Sequence, residues 1–96
     1  MEEYKCFTSF GRDFAIADMF GISAIKDTFN RAFNEWKHNY KYLTELVMVL
    51  NWRIFEYYNK NRQYAIVYDE LWRKADDYAI NNLKGEELDY YYRVTD

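Results

Sequence analysis

The chain has 96 residues, 13 Lys plus Arg against 16 Asp plus Glu for a formal net charge of -3, no proline and one cysteine. At 22% aromatic residues it carries too much buriable surface to remain disordered. One cysteine excludes a disulfide-stapled fold, and the length excludes two domains, so the expectation is a single helical domain over residues 1–96.

The first predicted helix runs from Ser9 to Phe20, where Phe10, Phe14, Ala17 and Met19–Phe20 recur at helical spacing. Gly21 reads as its C-terminal cap, because glycine enters positive φ without a Cβ clash. A second runs from Ser23, as N-cap, to His38, with one apolar stripe of Ile25, Phe29, Ala32, Phe33, Trp36 and Tyr40. Asp27–Arg31 and Arg31–Glu35 sit at i,i+4 on its opposite face.

The third predicted helix spans Tyr42 to Asn59. Leu43, Leu46, Val47, Leu50, Ile54 and Tyr57 form one stripe, and Met48, Trp52 and Phe55 a second on the flank. Two apolar faces predict a central helix packed on two sides, most buried across Leu46–Leu50. Asn59–Asn61 is the predicted turn into a fourth helix, Arg62 to Leu83, striped by Tyr64, Tyr68, Leu71, Trp72, Ala75, Tyr78 and Ala79 and closed by Gly85. The segment Glu86 to Asp96 reads as one or two further helical turns or as a frayed end. The fold class is therefore all-α: a compact bundle of three main helices with short flanking helices at the N- and C-termini.

No catalytic or metal-binding grouping emerges. Cys6 and His38 are single, nothing in the sequence brings them together, and adjacent Asp76 and Asp77 point about 100° apart on a helix. Neither single-glycine site, at Gly11 or Gly21, makes a phosphate-cradling loop. The reading is a non-enzymatic protein with no cofactor and no metal. There is no apolar run of about 18 residues, so no membrane span is expected. The acidic start lacks the pattern of a signal peptide, and the lone thiol fits a reducing compartment, so the expected location is cytoplasmic.

Charge is unevenly distributed. Residues 22–68 carry seven bases against four acids, and residues 69–96 four bases against eight acids. Aromatic excess and a dipolar charge pattern favour a protein partner of unknown identity, since Trp, Tyr and Arg are the commonest interface anchors. The expected partner-binding residues are Tyr90, Tyr91 and Tyr92, with Glu86, Glu87, Asp89, Asp76 and Asp77 steering association. Trp52 or Tyr58 would join them if one face of the third helix is uncovered. The same acids suggest a second use, as a surface resembling nucleic-acid phosphate that competes for a basic groove on another protein. The alternative is a nucleic-acid binder using Arg31, Lys37, Tyr40 and Lys41, where bases interleave with aromatics. Such a thin positive balance disfavours it. A homodimer completing the third helix is compatible with either reading.

The strings Ala24–Phe29, Arg31–Lys37 and Tyr42–Asn51, with Tyr68–Trp72 and Asn82–Leu88, resemble a type of small helical protein of bacterial mobile elements and prophages. The resemblance covers nearly the whole chain and transfers no functional residues. It implies a setting, that of accessory proteins that often inhibit host defence systems, CRISPR nucleases included.

Overall fold

The computed structural model describes the backbone of residues 2–96 and the side chains of residues 9–96. Five helices follow in chain order: α1 (Glu2–Phe20), α2 (Ile22–Trp36), α3 (Tyr40–Tyr57), α4 (Arg62–Asn82) and α5 (Glu86–Thr95). No strand occurs among the described residues, and the chain is all-helical. Cys6 lies outside the described side chains.

The links are short, and each has a local cause. Gly21 alone separates α1 from α2. Its N–H donates to the Ala17 carbonyl, and its own carbonyl accepts from the Ile25 N–H, both at 3.1 Å. Gly21 therefore ends one helix and starts the next, at a φ of 111° that an L side chain adopts only under strain. Ser23, the expected N-cap, instead lies inside α2, because the cap is Gly21, two residues earlier. Asn39 caps α3, its side-chain oxygen accepting from the N–H groups of Lys41 and Tyr42. Asn61 caps α4 in the same way through the Tyr64 N–H at 3.2 Å. His38 falls in the turn between α2 and α3, beyond the end of α2. Gly85, at a φ of 61°, starts α5. Glu86, Glu87 and Asp89 fill the first turn of α5 and Arg93 its last, which suits the helix dipole.

Helix α3 is central and packs against all four others, most extensively α4. Leu43, Leu46, Val47, Val49 and Leu50 are buried, together with Thr44 and Glu45, so its first half is enclosed on nearly every side. The second half departs from the expected two-sided packing: Trp52 is 62% exposed and Phe55 70%. Past Leu50 one face stays covered, with Ile54 and Tyr57 packed on the core, while the flank stripe of Trp52 and Phe55 is exposed. At the other end of the chain, α1 is 19 residues long rather than a short segment from Ser9. Phe10, Phe14 and Ala17 place it in the same core as Ile25, Phe29, Tyr68 and Tyr91.

Rings make up much of that core. Phe29 stacks on Phe33 at 5.3 Å, Phe33 meets Tyr78 edge-on at 5.2 Å, and Phe14 meets Tyr68 edge-on at 5.7 Å. The interior does not take them all. Phe20, Trp52, Phe55, Tyr58 and Tyr92 stay exposed.

Candidate functional site

Two places gather chemically distinctive side chains. The first is a polar node around Asp18, in the last turn of α1. Its carboxylate is only 7% exposed and forms an ion pair with the Arg53 guanidinium from α3. The same group accepts hydrogen bonds from the Tyr57 hydroxyl at 2.7 Å and from the Tyr68 hydroxyl. The Asp18 carbonyl accepts from the Tyr64 hydroxyl at 3.0 Å. Arg53 also lies 5.6 Å from the Tyr57 ring centroid and 6.0 Å from that of Tyr68. Burial opposes the Arg53 charge, but the bond to Asp18 and its negative charge outweigh that and hold the guanidinium above its ordinary value.

Burial, with Asp18 as acceptor and negative neighbour, pushes the Tyr57 phenol up to about 12. The same causes raise Tyr68 further. This couples stability to alkaline pH. The unfolded chain loses these phenolic protons near pH 10, while the folded chain still holds them. Stability is therefore complete below about pH 10 and falls as pH rises towards 12. Urea midpoints at pH 8, 10 and 11.5 should show the fall, and Tyr68→Phe should show a smaller one. Equal slopes in the two proteins would contradict the coupling.

The second place is a groove of about 450 Å³ where α3, α4 and α5 meet. Its walls bring Met48 and Trp52 from α3 to Trp72 and Ile80 from α4 and Tyr92 from α5. Trp52, Ile80 and Tyr92 are exposed there. Asp76 and Asp96 also line it, and none of the described lining residues is basic. The Tyr91 hydroxyl donates to the Asp76 carboxylate and fixes α5 on α4. Burial first, and Asp76 second, push the Tyr91 phenol well above its ordinary value.

Of the residues expected to bind a partner, Asp76, Tyr91 and Tyr92 come together in this groove, beside Trp52. Tyr91 is 1% exposed, so it supports the groove from the core and presents almost no surface. Tyr90 is half-buried and turns to Tyr40, edge-on at 5.2 Å. Glu86, Glu87 and Asp89 are exposed on the first turn of α5, and Asp77 is exposed on α4. Tyr58, at the end of α3, is exposed but does not line the groove.

The alternative nucleic-acid set is spread out. Lys37 is half-buried, its ammonium 5.6 Å from the Phe33 centroid and 5.8 Å from that of Tyr78. Tyr40 packs on Tyr90, and Lys41 is exposed at the start of α3. Arg31 lines a separate, wider groove between α1 and α2, of about 870 Å³, with Asp13, Asp27 and Glu35. Among the described residues no three of His, Cys, Asp or Glu converge to hold a metal ion, and no helix is long and apolar enough to cross a membrane.

Sequence reasoning missed the Asp18 node. The available signal was an acid with no base three or four residues away, matched by Arg53 on a largely apolar helix. Compared with protein-family models, curated proteins and solved structures, the chain gives no match.

Proposed function

We propose that the chain is a non-enzymatic accessory protein that docks a protein partner through the α3–α4–α5 groove and the acidic start of α5. One observation carries this reading: exposed Trp52, Ile80 and Tyr92 converge on a single concavity that Asp76 and Asp96 also line. Exposed aromatic side chains around a pocket are the usual anchors of an interface, and neighbouring charge sets the rate of encounter. The acids Glu86, Glu87, Asp89 and Asp77 supply that charge.

The finer setting rests on the sequence resemblance. It is that of a cytoplasmic mobile-element protein that inhibits a host defence system, with a CRISPR nuclease as the representative target. Residues 69–96 would then occupy a basic surface of the nuclease. The wild-type protein is expected to slow target cleavage in a purified nuclease assay. Trp52→Ala with Tyr92→Ala should relieve that inhibition, with binding about 30-fold or more weaker if the pair forms a hot spot of at least about 2 kcal/mol. Unchanged cleavage with the wild-type protein counts against the inhibitor setting. Equal capture of a lysate partner by wild-type and doubly substituted protein counts against docking at this groove.

A further inference from the structure

We infer that the occupant of the α3–α4–α5 groove is an arginine side chain on a basic segment of the partner; this rests on the docking reading above. The chemistry of the walls selects the ligand. The indoles of Trp52 and Trp72 and the phenol of Tyr92 line the groove, together with the carboxylate residues Asp76 and Asp96. A purely apolar side chain would strip water from these carboxylates without replacing their hydrogen bonds. An anion would meet like charge. A guanidinium satisfies both kinds of wall, because it is planar, stacks on rings and gives paired N–H donors to a carboxylate. An ammonium is a more strongly hydrated point charge with no flat face to stack, so lysine fits the same walls less well.

The fold already uses this combination internally. Arg53 pairs with Asp18 while lying against the Tyr57 and Tyr68 rings. The groove offers a similar set of partners, rings beside carboxylates, with no base of its own among the described lining residues. Its volume of about 450 Å³ is within the usual range for a small-ligand site, about 300–1,000 Å³, and accommodates one extended side chain with its flanking backbone. Residues 69–96, which supply eight of the twelve lining residues, carry charge of the matching sign, eight acids against four bases. Arg93, the base on α5, has its guanidinium 5.9 Å from the Tyr90 ring centroid.

The test compares two synthetic peptides, a short helical peptide with three arginines and its isostere with citrulline at those positions. Citrulline keeps the shape and removes the charge. Indole N–H resonances report binding, assigned through Trp52→Phe and Trp72→Phe. The arginine peptide should shift both indoles in a saturable way, more weakly as salt rises. The citrulline peptide should bind about ten-fold more weakly or worse, as loss of a charge-assisted contact of about 1.5 kcal/mol implies. Asp96→Asn should weaken the arginine peptide and leave the citrulline peptide unchanged. Asp96 is the better choice for this variant, because Asp76 also holds Tyr91. Trp52→Ala should weaken both while the helical circular dichroism signal is kept.

Equal binding of the two peptides overturns the guanidinium assignment and leaves docking at the groove standing. If neither peptide moves the indoles, the assignment also falls. Docking is then judged separately, by whether Trp52→Ala with Tyr92→Ala still abolishes partner capture.

Discussion

Replacing Asp18 by alanine is expected to destabilise the fold by about 3–5 kcal/mol, the cost of leaving one member of a buried ion pair uncompensated. Arg53 is 20% exposed, which places the expected loss towards the lower end for the ion pair itself. The hydroxyls of Tyr57 and Tyr68 also lose their acceptor, at about 1–3 kcal/mol for each one left unsatisfied. Urea unfolding followed by circular dichroism measures the change. The double variant Asp18→Ala with Arg53→Met should be less destabilised than the sum of its two single variants, because it removes both charges together. If Asp18→Ala unfolds within 1 kcal/mol of the wild type, the node does not hold α1 in place.

Phe14→Ala is expected to cost about 3–5 kcal/mol, the usual price of emptying a fully buried aromatic site. Phe14 is 0% exposed and meets Tyr68 edge-on, so the cavity would open directly beneath the Asp18 node. Phe20→Ala, six residues further along the same helix, should change stability by less than about 0.5 kcal/mol, since its ring is 77% exposed. Similar effects at the two positions would mean that α1 does not form part of the core. The two measurements also separate stability from docking, because neither residue lines the α3–α4–α5 groove.

The node and the groove differ in how they could be read from the sequence. Tyr91 and Tyr92 are neighbours on a short acidic segment, and sequence treats them alike. The fold buries one and exposes the other, because successive residues on a helix point about 100° apart. Trp52 and Phe55 were legible as a second apolar stripe on α3. That stripe could not show that no neighbouring helix covers this flank of α3. Asp18 and Arg53 lie 35 positions apart, and only a local search for i,i+4 partners marks either of them as unusual.

Residue periodicity by itself determined that the chain is helical and placed α4 to within a residue at each end, because amphipathic spacing is a local property; α3 lies two residues earlier than the stripe suggested, at Tyr40–Tyr57, and Gly85 starts α5, while Leu83 ends α4. It also determined that the rings outnumber the sites inside so small a domain. Tertiary structure alone decided which rings were left outside, the convergence of four side chains from two helices on Asp18 of a third, and the meeting of Trp52, Trp72 and Tyr92 beside Asp76. Those outcomes depend on how the helices rotate and how far each extends along its neighbour. Such relations arise between distant segments, and no spacing within a single segment encodes them.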